Sequence, residues 1–212
     1  VVLEEKVGVV RAAVRLDPKR PTFAEFDAPR LPAAVAVDLP SKGAIADSLG
    51  LDATDIGFEN HVPSAFEAGV PFAFVPVADL AAIRRARLDV ATWKRACGES
   101  RALPVYVYCR ETIHHDSTFH ARMFDVGFGI VEDPATGSAA AAFAGAITRF
   151  DLPTKGGHSH CIEQGFEMGR PSLIDLTLEI DGKELVAVRI GGSAVRVAEG
   201  TIDVSRATAV PD

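Results

Sequence analysis

The segment from Gly127 to Ile147 holds the residues whose types and spacing are best suited to chemistry. It reads GFGIVEDPATGSAAAAFAGAI, so Asp133, Thr136 and Ser138 come directly before a run of alanines. This run predicts a helix that is apolar on every side and is therefore buried on every side. The first turn of such a helix has unsatisfied N–H groups and the positive end of the helix dipole. Together these bind an anion such as a carboxylate without the help of Lys or Arg.

A simpler interpretation of the same residues is helix capping, because Asp and Thr are common N-cap residues. Asp133 or Thr136 would then cap the helix, and Ser138 would be an ordinary residue of its first turn. Two features favour a site instead. The helix is too apolar for a surface helix, and the loop before it is richer in turn formers and hydroxyls than capping requires. We therefore predict an anion site to which Ser138 adds a hydroxyl, with Asp133 placed to accept or deliver a proton.

The overall composition limits the class of protein that carries this segment. The chain has 212 residues, 48% of them hydrophobic, with a formal net charge of −7 and a mean hydropathy of +0.16. These values indicate a globular protein of one or two domains, and the lack of a basic cluster argues against a nucleic-acid partner. No apolar run approaches ~18 residues, so we predict no membrane span. Three cysteines, an odd and sparse set, favour a reducing compartment and a cytoplasmic location.

The rest of the chain predicts mixed strands and helices without regular β-α-β alternation. The expected strands are 5–16, 22–26, 72–77, 104–109, 117–124, 173–180, 184–190 and 194–197. The expected helices are 41–49, 79–87, 89–97 and about 137–150, and an extended linker is expected at 27–40. An Asp181-Gly182 turn joins two strands, and Gly191-Gly192 is expected to break the chain. Because neither GxGxxG after the first strand nor GxxxxGK[ST] occurs, an α+β architecture is favoured over a dinucleotide-binding or P-loop fold.

Several motifs in combination resemble those of the PhzF (phenazine biosynthesis-like) family. The most informative is Glu132–Ala139, EDPATGSA, which is preceded by His120–Phe124, HARMF. Gln164-Gly165 and Met168–Ser172 follow it, and Val188–Val197 is similar to the last strands of that family. Each piece alone is weak evidence, whereas the combination is specific.

The resemblance extends from about Val7 to Ile202 and implies a fold similar to that of diaminopimelate epimerase. In that fold two similar lobes each wrap a mixed sheet or barrel around a central apolar helix, and the active site lies between them. Applied to this chain, the resemblance implies a remnant of the first lobe at 1–31, a second lobe at 32–204 and a C-terminal tail at 205–212. The central helix of the second lobe is the one expected at about 137–150.

The resemblance also implies isomerase or epimerase chemistry, with proton transfer at a carbon of a small carboxylic acid and neither a cofactor nor a metal. The family's active-site aspartate and serine correspond here to Asp133 and Ser138. The residues expected to bind the substrate are Thr136, Gly137, His120 and Gly192. Thr136 also stands about where the related epimerases have a cysteine, so racemisation by two thiols is not predicted. Family likeness further predicts a homodimer.

Two motifs of the family are missing from this chain. Neither the Ser-Glu-Thr-type segment with its general-base glutamate nor the Gly-His-(Ala/Pro)-Thr loop occurs, and Glu4 and Glu5 lie in a different context. Because proton transfer needs a positioned base, we expect the chain to lack the family's N-terminal segment and to be incomplete as an isomerase. The alternative is a catalytically inactive remnant that binds a small carboxylate or acts as an assembly subunit.

Four further features can each be interpreted in two ways. His120 either lines the cleft or is a buried histidine with satisfied hydrogen bonds. Glu132 is either a second carboxylate of the site or the partner of Arg122. Arg170 either holds a carboxylate or braces a turn, and we favour the turn. The segment 158–161, HSHC, contains metal-ligating residue types but has no further ligands at suitable spacing, so a flexible, Gly-rich loop is favoured there.

Overall fold

The computed structural model describes residues 1–17, 19, 21–127 and 129–201. In this part of the chain the strands are β1 (Val2–Glu5), β2 (Gly8–Arg15), β3 (Thr22–Asp27), β4 (Ala33–Ala34), β5 (Ser64–Glu67), β6 (Pro71–Pro76), β7 (Val105–Cys109), β8 (Phe119–Phe124), β9 (Glu132–Asp133), β10 (Gly156–Gln164), β11 (Ser172–Asp181) and β12 (Glu184–Ala194). The helices are α1 (Lys42–Leu49), α2 (Leu80–Arg85), α3 (Val90–Cys97) and α4 (Gly137–Asp151). The expected tail at 205–212 lies outside the described residues. None of the described helices is long and apolar enough to cross a membrane.

Nearly all of these strands follow one another in a single mixed sheet. The order is β1-β2-β3-β12-β11-β10-β8-β7-β6-β5-β4, and β9 pairs with β8 beside this path. The pairs β10–β8 and β6–β7 are parallel, whereas β12 is antiparallel to both of its neighbours. Because β12 pairs with β11 and with β3, it joins strands from both sides of the expected lobe boundary at residue 31. The division into lobes stays a prediction.

The sheet encloses α4. This helix contacts β4, β5 and β6 on one side and β11 and β12 on the other, so the sheet curves around it. Every residue from Ala139 to Ile147 is buried, and the small side chains among them let the strands approach closely. Phe143 fills the remaining space against Tyr108, with ring centroids 4.6 Å apart. The predicted α+β architecture, a mixed sheet wrapped around a central apolar helix, is confirmed.

Alternate side chains of the central strands belong to two different hydrophobic cores. In β7, Tyr106 and Tyr108 face α4, whereas Val105, Val107 and Cys109 belong to a second core that includes α1, α2 and α3. Successive side chains of a strand point to opposite faces, so a strand whose residues are all buried needs a cover on both faces. The central strands therefore lie between α4 on one face and the three short helices on the other.

Two predictions, for residues 5–16 and 158–161, are wrong. Residues 5–16 do not form one strand, because β1 and β2 pair as a hairpin with Glu5 opposite Gly8. The segment 158–161 is not a flexible loop, because it lies within β10 and pairs with β11 along its whole length. His158 pairs with Leu178 in that register, and the side chains of His158 and His160 are partly buried, whereas Ser159 is exposed.

The prediction that Gly191-Gly192 breaks the chain is also wrong. β12 continues through both glycines to Ala194, and residues 195–197 form no strand. A Cβ at Gly191 would lie 2.8 Å from Cζ of Phe23 and 3.1 Å from Cβ of Glu25 on the neighbouring strand. Glycine is therefore required at this position by the contact with β3, not by a turn.

We predict that Gly145→Ala destabilises the protein although alanine is the better helix former. A Cβ at position 145 would lie 2.5 Å from Cδ1 of Phe66, so the ring or the helix must move. Overpacking of this kind costs about 1–3 kcal/mol, which exceeds the gain of ~1 kcal/mol in helix propensity. The free energy of unfolding in urea measures the difference.

Gly43→Ala in α1 is the matched control, because nothing lies within 4 Å of a Cβ at that position. This substitution should leave the stability unchanged or raise it by roughly 0.5–1 kcal/mol. Equal effects of the two substitutions would contradict the packing argument.

Candidate active site

The N-terminal end of α4 presents hydrogen-bond donors that the described residues leave unused. The main-chain N–H groups of Gly137, Ser138 and Ala139 have no acceptor among those residues. The first bond of the helix runs from the N–H of Ala140 to the carbonyl oxygen of Thr136, at 3.0 Å. Thr136 is the N-cap residue, but its side chain does not cap the helix. The three donors and the helix dipole give this end a partial positive charge that suits an anion.

A cavity of about 520 Å³ opens beside this helix end. Ala135 and Gly137 line it on the helix side. Cys161 of β10, residues 171–175 at the start of β11 and residues 190–193 of β12 line the other side. A Cβ at Gly137 would lie 4.0 Å from Cγ2 of Ile190, so helix and strand are close here. The structure thus brings Gly137 and Gly192, two residues predicted to bind the substrate, around one space of a size typical for small ligands.

Asp133 lies in β9, just before the loop that leads into α4, and is not among the residues that line the cavity. Its Oδ2 accepts a hydrogen bond from Oγ1 of Thr136 at 2.6 Å. Gln164, the last residue of β10, donates from Nε2 to the carbonyl oxygen of Asp133 at 2.7 Å and to Oγ1 of Thr136 at 2.9 Å. Asp133 and Thr136 are therefore held together, and the sequence analysis missed the residue that holds them. The sole signal for Gln164 was its place in the Gln164-Gly165 motif.

Ser138 occupies the first turn of α4 and is exposed. Its hydroxyl makes no hydrogen bond to another described residue, so it is available to a ligand beside the three N–H groups. Thr136 differs from Ser138 in this respect, because its hydroxyl is buried and already bonded. The expected catalytic roles of Asp133 and Ser138 stay predictions, and the geometry places both at the same end of α4.

His120 lies on the other face of the sheet. In β8, Phe119 and Ala121 face α4, so the ring of His120 points away from the helix, where it is fully buried. Its Nδ1 lies 2.8 Å from Oε2 of Glu163, and its Nε2 lies 3.0 Å from Oε1 of Glu167. Both ring nitrogens are occupied, as expected for a satisfied buried histidine. Substrate binding by His120 stays a prediction that this geometry does not favour.

The two glutamates favour the charged form of His120. Burial alone would lower the pKa of His120, but hydrogen bonds and charges from Glu167 and Glu163 outweigh burial and raise the pKa above its ordinary value. Burial alone would raise the pKa of Glu163 and of Glu167, yet their contacts with His120 lower both. Glu163 also accepts the main-chain N–H groups of Ile113 and His114, at 2.8 and 2.6 Å. The buried charges therefore attach the loop after β7 to β10.

Glu132 is the partner of Arg122, which decides between its two interpretations. Nε and Nη2 of Arg122 donate to Oε1 and Oε2 of Glu132, each at 2.8 Å, in a bidentate pair. Nη1 of Arg122 donates to the carbonyl oxygens of Ile83 and Ala86 at 2.9 and 2.8 Å. This pair holds β9 against β8 and ties both to α2. Asp133, the next residue, is thereby directed towards the α4 side of the sheet.

A second polar cluster lies at the opposite end of α4. The carboxylates of Glu59 and Asp151 and the ring of His61 are close enough together to hold a metal ion. Arg110 already donates to Glu59 at 3.1 Å and to Asp151 at 2.7 Å, so its guanidinium fills the place of a cation. Among the described residues the segment 158–161 belongs to no such group, and Nε2 of His158 donates to the carbonyl oxygen of Thr154 at 2.6 Å.

A mixed sheet curved around one buried helix matches the diaminopimelate-epimerase-like fold. Residues 1–200 match the family of phenazine biosynthesis-like proteins, PhzC-PhzF. The chain belongs to this family, as the motif around Asp133 predicted.

Solved structures show the same fold. The PhzF-family phenazine biosynthesis protein of Bacillus anthracis superposes with a TM-score of 0.79 at 22% identity, over 93% of this chain and 66% of that chain. A Pseudomonas aeruginosa protein described as a predicted epimerase superposes with a TM-score of 0.66 at 27% identity, over 91% of this chain and 62% of that chain.

Curated relatives carry isomerase names. An uncharacterised isomerase of Mesorhizobium japonicum is 50% identical over 204 residues, which are 95% of this chain and 67% of the relative. An uncharacterised isomerase of Bacillus subtilis is 29% identical over 71% of this chain and 50% of its own length. The trans-2,3-dihydro-3-hydroxyanthranilate isomerase of Pseudomonas fluorescens is 39% identical over 89 residues, 40% of this chain and 30% of the relative. The chain therefore spans two thirds or less of the length of these relatives.

We predict that His120 makes the stability depend on pH in the neutral to alkaline range. A group whose pKa is raised on folding contributes fully below its unfolded-state pKa, about 6.5, and this contribution is lost as the pH rises through the folded-state pKa. The free energy of unfolding of the wild type should therefore fall over that window. His120→Gln should abolish this fall and should lower the stability at pH 6 by about 3 kcal/mol, because it leaves buried carboxylates without their partner.

His115→Gln is the control, because the side chain of His115 is 93% exposed and contacts Asp116 alone among the described ion pairs. It should leave the pH profile of stability unchanged. An unaltered alkaline decline in His120→Gln would show that another group causes it. Urea titrations from pH 6 to pH 9 distinguish the two results.

Proposed function

We propose that this chain acts as an isomerase or epimerase that transfers a proton at a carbon of a small carboxylic acid, without a cofactor. The observation that carries the proposal is the N-terminal end of α4, where three N–H groups and the hydroxyl of Ser138 have no partner among the described residues. A cavity lined by Gly137 opens beside this end, and Asp133 is held nearby. The isomerase names of the relatives, one of them for trans-2,3-dihydro-3-hydroxyanthranilate, support the class of reaction.

The residues at this helix end have different roles in such a reaction. The N–H groups of Gly137, Ser138 and Ala139 bind the carboxylate of the substrate. They also stabilise the negative charge that spreads from the reacting carbon towards the carboxylate when the proton leaves. Asp133 accepts or delivers that proton. Neither of these two roles calls for a cofactor, and a general base outside these 212 residues would complete the site.

A second candidate is a protein that binds a small carboxylate without converting it. The donors at the end of α4 suffice for binding, whereas the family's general-base glutamate motif does not occur in these 212 residues. Proton exchange at a substrate carbon separates the two candidates, because binding alone incorporates no solvent deuterium. The homodimer and the cytoplasmic location stay predictions beside both candidates.

We predict that the protein incorporates deuterium from D₂O into trans-2,3-dihydro-3-hydroxyanthranilate, followed by mass spectrometry. Asp133→Asn should lower the rate about 100-fold or more, because a positioned acid–base group contributes roughly 10²- to 10⁴-fold. Ser138→Ala should weaken the binding of benzoate, a carboxylate probe, about 2- to 10-fold, since one hydrogen bond contributes about 0.5–1.5 kcal/mol. Benzoate binding by Asp133→Asn should stay close to that of the wild type.

Asp47→Asn and Ser159→Ala are the matched controls, because both residues are exposed and lie outside this helix end. Neither should alter exchange or benzoate binding. Benzoate binding that depends on Ser138 without any exchange would favour the second candidate. Exchange that is unaffected by Asp133→Asn would remove Asp133 from the reaction.

A further inference from the structure

Gln164 is a buried carboxamide whose polar atoms are all committed to the loop before α4. It is fully buried, and its Nε2 donates both to the carbonyl oxygen of Asp133 and to Oγ1 of Thr136, at 2.7 and 2.9 Å. Its Oε1 accepts the main-chain N–H of Thr136 at 3.3 Å. A main-chain carbonyl can accept but not donate, and a main-chain N–H can donate but not accept. These two partners therefore fix which end of the carboxamide is oxygen and which is nitrogen.

This orientation determines where the hydroxyl proton of Thr136 goes. Oγ1 of Thr136 accepts a hydrogen bond from Gln164, so its own single proton is directed to Oδ2 of Asp133, at 2.6 Å. The other carboxylate oxygen, Oδ1 of Asp133, makes no hydrogen bond with the described residues. One oxygen of Asp133 is thus held by the protein, and the other has no hydrogen-bond partner among the described residues.

Gly165, the next residue, allows the end of β10 to approach this loop closely. It has φ +80°, and a Cβ there would clash with the carbonyl oxygen of Arg170 in the turn that follows and would lie 2.7 Å from the carbonyl oxygen of Pro134. These contacts are with backbone, which cannot move aside as a flexible side chain could. Glycine at position 165 is therefore favoured both by the turn to Arg170 and by the approach to the loop before α4, whereas Gln164 holds the segment from Asp133 to Thr136 directly.

We propose that Gln164 and Thr136 are positioning residues for Asp133: the carboxamide orients the hydroxyl, and the hydroxyl holds Oδ2 of the carboxylate so that Oδ1 is presented to the substrate. Thr136 then acts through Asp133 and is not itself a substrate ligand. The inference rests on the proposed function in one respect, namely that Asp133 moves the proton. The two successive hydrogen bonds, from Gln164 to Thr136 and from Thr136 to Asp133, form a relay whose geometry can be tested without that assumption.

Three substitutions distinguish an effect of the orientation of the Thr136 hydroxyl from an effect of side-chain shape. Thr136→Val keeps the shape and removes the donor to Asp133. Thr136→Ser keeps the donor. Gln164→Glu keeps the shape of the carboxamide, but its ionised carboxylate cannot donate to Oγ1. The hydroxyl of Thr136 then turns towards position 164 and away from Asp133.

The first measurement is the conformation of Asp133 in crystal structures of the wild type and the three variants. We expect one carboxylate conformer in the wild type and in Thr136→Ser. In Thr136→Val and Gln164→Glu we expect a displaced carboxylate or more than one conformer. An unchanged single conformer in Thr136→Val would overturn the proposal, whether or not the protein is active. Thr136→Val decides the question alone if the buried charge of Gln164→Glu prevents folding.

The second measurement is the kcat and KM of deuterium incorporation into trans-2,3-dihydro-3-hydroxyanthranilate. Misplacement of a reacting group by about 1 Å costs roughly 100-fold, so Thr136→Val should lower kcat about 10- to 100-fold with KM changed less than about threefold. Thr136→Ser should restore most of the loss. A large rise in KM with kcat unchanged would instead make Thr136 a substrate ligand and would overturn the proposal.

Thr148→Val is the matched control, because the hydroxyl of Thr148 also bonds within the protein, donating to the carbonyl oxygen of Ala144 at 2.7 Å in the same helix. It should shift the thermal midpoint without changing kcat or the conformation of Asp133. A wild type that exchanges no deuterium would contradict the proposed function, and the Asp133 conformers would still decide the relay. A displaced Asp133 with kcat unchanged would also overturn the positioning role.

Discussion

The close contact between α4 and the sheet that curves around it is the constraint on which the other features depend. A helix made largely of alanine and glycine allows strands to approach from several sides, and the approach is tight enough that a Cβ on Gly145 would overlap the ring of Phe66. Such a helix cannot face water, so the sheet has to enclose it. The enclosure leaves the helix ends as the places where its polar main-chain groups are accessible. The candidate site at the N-terminal end therefore follows from the way the core is packed.

Buried charges on the outer face of the sheet complement this packing. Arg122 ties β8 to β9 and to the end of α2, and His120 ties β8 to β10 through Glu163. Charges without water are costly unless they are paired, so each of these contacts disfavours any other arrangement of the strands. Their effect on the site is indirect. They determine where β9 and the end of β10 lie, and these two segments carry Asp133 and Gln164.

Elements with local signals were predictable from the sequence, and those defined by distant partners were not. The alanine run predicted α4 to within one residue, and Ser41 and Gly50 bound α1 as expected, with φ 66° at Gly50. β10 was missed because its glycines and histidines look like a loop until β11 pairs with them. Alternation in β8 assigns His120 and Ala121 to opposite faces, but the sequence does not say which face meets α4. The role of Gln164 was hidden because its partners lie about thirty residues earlier in the chain.

β12 forms part of the cavity wall and also pairs with β3, so both contacts restrict which residues it can carry. Residues 190–193 line the cavity at the end of α4, and the same stretch pairs with β3, where Phe23 lies against Gly191. The space that Gly191 leaves is filled from the neighbouring strand. A larger residue at position 191 therefore needs a smaller residue at position 23 and a small shift of β3, because its Cβ would also lie 3.1 Å from Cβ of Glu25. In relatives that keep the fold, the sizes at these two positions are expected to covary, and through them the wall of the cavity is linked to a strand about 170 residues away in sequence.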